Sequence, residues 1–177
     1  MKAFTGSLIY TVFDSPLGLV GVAASKRGIV RMKLQLANED EFLEYLASAH
    51  ERPLLKKPGA FRALKDHLSL YFKGQGVRFD CPLDLNLKPA TPFQIRVWRA
   101  LRSIPYGETR SYQWLAGAVG HPDAWRAVGG ANGKNPVPIL VPCHRVVRKN
   151  GDLGGYSGGV HIKRFLIDLE RARHGTT

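Results

Sequence analysis

Residues 111 to 132 read SYQWLAGAVGHPDAWRAVGGAN. Two short segments with apolar residues at helical spacing, SYQWLAGAVG (111–120) and HPDAWRAVGGAN (121–132), meet at Gly120 and His121. Pro122 is expected to open the second helix, since proline is tolerated at a first helical position. Two helices joined by a short glycine-containing turn form a helix-turn-helix candidate. Many helical hairpins bind nothing, so the meaning of this one depends on its flanks.

Upstream, Thr91 caps and Pro92 starts a helix over FQIRVWRALRSI (93–104), with Phe93, Val97, Leu101 and Ile104 on one face. PYGETR (105–110) is a turn. Downstream, GGVHIKRFLIDLERARH (158–174) gives a terminal helix with Ile162, Phe165, Leu166 and Leu169 inward. The N-terminal half has another texture. SLIYTVF (7–13), LGLVGVAA (17–24) and GIVRMKLQL (28–36) are rich in β-branched and aromatic residues and are separated by DSPLG and SKRG, which carry turn residues. A three-stranded antiparallel meander is expected. Asn38 then caps EDEFLEYLASAH (39–50), with Phe42, Leu43 and Leu46 at helical spacing, and PGAFRALKDHLSLYFKG (58–74) presents Phe61, Leu64, Leu68 and Phe72 or Tyr71. The expected fold class is α/β of the α+β kind. Residues 1–78 form a small support domain, 79–91 a proline-rich linker, and 92–177 a mainly helical domain. No internal repeat or low-complexity tract is visible.

The chain has 177 residues, 44% hydrophobic and 23% charged, as expected of a folded globular protein. Its charge is unusual: 26 Lys and Arg against 14 Asp and Glu, a net +12. The basic residues are spread through patterned segments rather than gathered in a tail, which points to a folded binder of polyanions, foremost nucleic acid. Two cysteines, Cys81 and Cys143, make no disulfide framework and no C-x-x-C zinc motif, so a reducing compartment is expected. The short apolar run Leu8–Phe13 is no signal peptide, and no stretch has the length of a membrane span. The expected location is the cytoplasm, or the nucleus in a eukaryote.

Three motif matches fail on context. GYSGG (155–159) fits a nucleophile elbow but follows RKNGDLG rather than a buried strand. GGANGKN (129–135) lacks the first glycine and the Ser or Thr of a phosphate loop. His144, His161 and His174 near Cys143 share no metal-ligand spacing, and no metal or cofactor is expected.

Cys143 stands in NPVPILVPCHRVVRKNG (135–151). Cys81, beside Pro82, reads as a buried or linker thiol. Cys143 differs: Pro138 and Pro142 stiffen its backbone, Asn132 and Asn135 can tie a turn, and His144 and Arg145 provide a basic context favouring thiolate. On a strand, neighbours face opposite ways, so His144 reaches Cys143 only in a turn or through a water. Glu170 is the best candidate acid to orient the imidazole.

PCHRV (142–146), preceded by NPVPILV and followed by YSGG (156–159), resembles the O6-alkylguanine-DNA alkyltransferases, and SYQWLA and RAVGGAN resemble that family's helix-turn-helix. The likeness runs from about Thr91 to Glu170. It implies direct-reversal repair of double-stranded DNA: an irreversible, single-turnover transfer of the alkyl group from O6-alkylguanine to Cys143, without a cofactor, with O4-alkylthymine a further candidate substrate. It implies that His144 and Glu170 form, with a water, the relay that produces the thiolate, and that Asn135 braces the turn. Tyr112 would protonate the departing guanine at N3 and crowd the neighbouring phosphate. Arg126 would replace the extruded base, with the minor groove rather than the major groove entered. Val146 and Cys143 would offer carbonyls to the guanine amine, and Tyr156 and Ser157 would line the pocket. Small residues, Ala124, Ala127, Gly129, Gly130 and Ala131, would allow close approach to DNA. Trp125 is expected to pack between the two helices. The protein is expected to act as a monomer.

The chemistry accounts for these residue types. Transfer from oxygen to carbon-accepting sulfur needs a soft, strong nucleophile, and the thioether formed is stable. A hydroxyl donor assists departure of guanine, and the buried O6 requires base extrusion. Two other readings are weaker. An alkylated-DNA binder without repair would lack the acceptor cysteine, and a sequence-specific transcription factor leaves PCHRV unexplained.

Overall fold

The computed structural model of the protein describes residues 6–86 and 90–172. Three antiparallel strands, β1 (Leu8–Ser15), β2 (Gly18–Ser25) and β3 (Gly28–Leu36), form the expected meander, with Tyr10 opposite Ala23 and Val22 opposite Met32. The helix α1 (Glu39–Ala49) follows, its first turn capped by Asn38, whose side chain accepts from the Glu41 amide at 2.9 Å. A three-residue strand, β4 (Leu54–Lys56), then pairs parallel to β1, giving the order β3-β2-β1-β4. No periodicity announces β4; it is defined by backbone pairing at a sheet edge.

A 3₁₀ turn, Pro58–Phe61, leads into α2 (Arg62–Phe72), whose inward face is Leu64, Leu68 and Tyr71, with Phe72 only half-buried. The sheet is covered on both faces. Leu8, Tyr10, Ala23, Val30 and Leu36 pack on Phe42 and Leu46 of α1. Val20, Val22, Ala24, Ile29, Met32 and Leu34 belong to a second core shared with α2 and the C-terminal half.

Part of the expected linker is docked on this sheet. Ile29 N–H donates to Pro82 O and Asp84 N–H to Ile29 O, both at 2.9 Å. Gly28 makes this possible: it sits at φ +141°, where a Cβ would come within 2.3 Å of the Pro82 carbonyl oxygen. Linker residues 87–89, and the end of the expected terminal helix beyond residue 172, lie outside the described residues.

The C-terminal half opens with α3 (Pro92–Leu101), capped by a reciprocal Thr91–Gln94 box. Ile104 lies beyond the helix yet is buried, and Trp98 joins the inward face, its indole N–H donating to Ala131 O at 2.8 Å. The short strand β5 (Arg110–Ser111) precedes α4 (Tyr112–Ala118), and α5 (Trp125–Gly133) follows a turn through Gly120 at φ +78°. Pro122 lies in that turn, not in the second helix, which starts three residues later than expected. A 3₁₀ turn, Cys143–Arg145, passes into β6 (Val146–Val147), which pairs parallel with β5. The last helix is α6 (Val160–Arg171). Ile162 and Leu166 face the core as expected, but Phe165 is exposed, and Ile167 and Lys163 are buried instead. The inward stripe is thus rotated relative to the expected face. Among the described residues no helix is long and apolar enough to cross a membrane.

Candidate active site

The segment 135–145 is held by side-chain amides. Asn135 accepts from the Val137 amide through Oδ1 at 3.1 Å, and its Nδ2 donates to Val141 O at 2.7 Å and to Cys143 Sγ at 3.0 Å. Asn132 Nδ2 donates to Cys143 O at 3.3 Å. Between the prolines, Ile139 sits at φ +71°, a conformation that a β-branched residue rarely adopts and that costs about 1–3 kcal/mol. The surrounding bonds and a fully buried environment over 139–147 hold this conformation. The result is a 3₁₀ turn that delivers Cys143 with its sulfur already meeting a donor.

Because Cys143–Arg145 is a turn, His144 does not simply point away as it would on a strand. His144 is wholly buried, and its Nε2 lies 2.8 Å from Glu170 Oε1. An ionised carboxylate only accepts, so Nε2 carries the proton and Nδ1 is the free base position. Nδ1 is buried and meets no protein hydrogen-bond partner. Burial, the dominant influence, lowers the His144 pKa, with Glu170 opposing. Glu170 is also buried, which by itself raises its pKa, but hydrogen bonds and charge from His144 and Arg145 outweigh this and hold it at about 2. It is therefore a permanent anion at neutral pH.

The basic context expected to favour thiolate is corrected in detail. Arg145 turns from the sulfur and binds Glu170, Nε to Oε2 at 2.8 Å and a terminal nitrogen to Oε1 at 3.0 Å, with another donating to Ile104 O at 2.7 Å. Burial pushes the Cys143 thiol up, partly offset by Asn135, the Tyr156 hydroxyl and the charge of Lys163. The Tyr156 hydroxyl is buried close to the sulfur but falls short of hydrogen-bond geometry. Resting Cys143 is a thiol, placed where a thiolate would be solvated by the protein.

A cleft of about 930 Å³ lies beside this turn; Cys143 itself does not line it, and Asn132 and Tyr156 stand between the two. The cleft is lined by Tyr112 from α4, Trp125, Arg126 and Gly129 from α5, Arg148 and Lys149 after β6, and Tyr156 and Ser157 before α6. Asn132, which holds the Cys143 carbonyl, also reaches its wall. Burial raises the Tyr112 pKa, helped by the charge of Cys143, so Tyr112 keeps its proton. Ala127 is exposed on α5, and Ala124 and Gly129 are half-buried. Val146 is not on the cleft: it is fully buried, and its carbonyl already accepts from Lys163 Nζ at 2.6 Å. Trp125 does not pack between the helices. It is 43% exposed, with the Arg126 guanidinium 4.7 Å from its ring centroid.

Three residues hold places in the site that the sequence does not assign to them. Arg145 and Tyr71 are recognised only through their shared partner Glu170, which Tyr71 OH meets at 2.7 Å from the other half of the chain. Lys163, to which the sequence assigns no role, is wholly buried, donating to the carbonyls of Val146 and Leu153. Its only sequence signal is its place between two inward residues, Ile162 and Leu166. Burial lowers its pKa to about 8. Among the described residues no group of His, Cys, Asp and Glu could hold a metal ion.

Comparison with known proteins joins both halves of this arrangement to one group. Residues 92–172 match the 6-O-methylguanine DNA methyltransferase DNA-binding domain, and residues 8–85 match that protein group's ribonuclease-like domain. A methylated-DNA--protein-cysteine methyltransferase of Mycobacterium tuberculosis is 45% identical over 164 residues, covering 93% of each chain. The constitutive methylated-DNA--protein-cysteine methyltransferase of Bacillus subtilis is 42% identical, covering 92% of this chain and 94% of its own. The crystal structure of the Mycobacterium tuberculosis OGT in complex with DNA superposes with a TM-score of 0.80 at 43% identity, over 93% of this chain and 94% of the other. The matched segments span the sheet that supports the site and the helices that frame the cleft, so the likeness extends through the whole architecture. The chain belongs to the 6-O-methylguanine DNA methyltransferase family.

Proposed function

We propose that the protein repairs DNA by transferring the alkyl group of O6-alkylguanine to Cys143, once per molecule. The observation that carries this reading is the buried Cys143 thiol, held 3.0 Å from the Asn135 amide and adjoining the His144–Glu170 pair. His144 Nδ1, facing no protein partner, takes the thiol proton through a bridging water. The imidazolium formed is stabilised by Glu170, already ionised. The thiolate attacks the alkyl carbon, the S–C bond forms as the O6–C bond breaks, and the electron pair returns to the guanine ring system. Tyr112, which keeps its proton, donates to N3 of the departing base.

Access requires extrusion of the base into the cleft, at a cost of a few kcal/mol. Arg126, exposed at the start of α5, fills the gap from the minor groove, and Trp125 beside it offers a stacking face. Tyr156 and Ser157 line the base pocket, and Ala124, Ala127 and Gly129 let α5 approach closely. The Cys143 carbonyl already accepts from Asn132 Nδ2 and from the Val146 N–H, and the Val146 carbonyl from Lys163, so either receives the guanine amine only by sharing or releasing a bond it now holds. Residues 1–78 act as the support domain and 92–177 as the reacting domain, joined by 79–91. The protein works as a cytoplasmic monomer, without a cofactor.

Mixing the protein with an O6-methylguanine oligonucleotide and measuring intact mass tests this reading. One methyl group per molecule, mapped to Cys143, is expected. Turnover beyond one equivalent would refute single use, and binding without transfer would favour the non-repairing alternative. Affinity should fall with salt as phosphate contacts release counterions.

A further inference from the structure

We propose that Tyr71, supplied by α2 of the N-terminal half, is a positioning residue for thiol activation, acting on His144 through their shared carboxylate oxygen on Glu170. The inference rests on the reading of Cys143 as the alkyl acceptor.

The geometry is specific. Tyr71 is fully buried, and its ring lies among Phe72, Phe79 and Tyr106, with centroids at 5.5, 5.7 and 6.0 Å. Its hydroxyl donates to Glu170 Oε1 at 2.7 Å, the oxygen that accepts from His144 Nε2 at 2.8 Å. The Tyr71 oxygen and His144 Nε2 are 3.5 Å apart, at the outer limit for a hydrogen bond, whereas both donate to the same Glu170 oxygen at 2.7 and 2.8 Å, so their competition for the carboxylate is the stronger coupling. Arg145 supplies two more donors, and the Gly107 amide donates to Oε2 at 3.1 Å. Five donors thus divide the charge of one carboxylate. The other charged or titratable neighbours of this cluster are Lys163 on α6, which disfavours imidazolium, and Tyr106, which faces Tyr71.

A hydrogen bond to a carboxylate draws off electron density, so each donor weakens what remains for the others. With the Tyr71 hydroxyl in place, Glu170 holds the imidazolium less tightly, and His144 Nδ1 stays unprotonated to a lower pH. Removing the hydroxyl concentrates the charge on His144 and Arg145. His144 then protonates earlier as pH falls, and an Nδ1 that already carries a proton cannot accept one from the thiol. The N-terminal half thereby contributes a reacting-site hydroxyl as well as support.

The test is the pH dependence of single-turnover transfer from an O6-methylguanine oligonucleotide. Tyr71→Phe keeps the ring packing and removes the donor; the acid limb should move up by about half a unit to one unit, with DNA affinity unchanged. Site-specific 3,5-difluorotyrosine at position 71 keeps the hydroxyl and strengthens it as a donor, so the limb should move down. Titration of the labelled His144 ring by NMR, which needs no DNA, should shift in the same two directions. A profile lowered in height but unmoved in pH, or limbs moving the same way in both variants, would overturn the proposal. If the unaltered protein transfers nothing to Cys143, the underlying reading fails instead.

Discussion

Cys81 and Cys143 are both partly or wholly buried free thiols, and in both burial pushes the pKa up. Their surroundings separate them. Cys81 lies in the segment after α2 that docks on β3, where the Arg102 charge favours thiolate and Asp80 opposes it, and among the described residues no side-chain amide donates to its sulfur as Asn135 does to Cys143. At Cys143 an amide meets the sulfur, a phenol and a buried lysine stand near it, and an imidazole with a fixed tautomer adjoins it. Burial therefore does not distinguish a reacting thiol from a structural one. What distinguishes it is a set of groups that favour the charged form once the proton leaves.

The broadest way to break that contrast is to exchange the thiols. Cys143→Ala should abolish alkyl transfer, while Cys81→Ala should leave one equivalent of transfer by intact mass. Next in size is Glu170→Gln, which leaves Arg145 buried without its anion; a loss of about 3–5 kcal/mol is expected in denaturant unfolding. Native Glu170, held at about 2 against an ordinary value of about 4.3, contributes stability that is complete above the ordinary value and lost as pH falls toward 2. Acid unfolding of the native protein should steepen in that window, and the Gln variant should lose that component. Asn135→Ala removes the donor on sulfur and unties Val141; a bond to a charged group is worth about 1.5–3 kcal/mol, so transfer should slow roughly 10- to 150-fold. A rate within twofold of native would show that the amide only shapes the turn. The smallest effect is expected from Trp125→Ala, where loss of one stacked base should weaken DNA binding by about 1–3 kcal/mol or less in a fluorescence titration; undiminished affinity would place the exposed indole outside the interface.

The same contrast explains what was legible in the sequence. Local grammar was readable: Thr91 with Pro92 started α3, Asn38 started α1, and Gly120 marked the helix-turn-helix bend, because each works through its immediate neighbours. The stiffness around Cys143 was readable for the same reason. The groups that depend on tertiary closure were not. The sequence places Arg145 in the basic context of Cys143 and gives Lys163 no role, and only folding shows that one is spent on Glu170 and the other on two carbonyls. Tyr71 was an alternative to Phe72 on an amphipathic face, since periodicity identifies an inward residue but not the tip of its side chain. Phe165 and Trp125 failed in the opposite sense. Apolar character predicted burial, whereas both lie exposed on helix surfaces. Pro122 fits a helix start by propensity, but the chain needs three more residues of turn before α5.

The buried position of Cys143 also bears on waiting time. A protein that reacts once has as much interest in not reacting early as in reacting fast. Thiolate is the form that soluble electrophiles and oxidants attack, and with 2% exposure and a raised pKa Cys143 offers little of it. The enclosure for which we propose the His144 relay thus also preserves the unused molecule. Its shelf life before meeting damaged DNA and its competence on meeting it are set by the same few side chains.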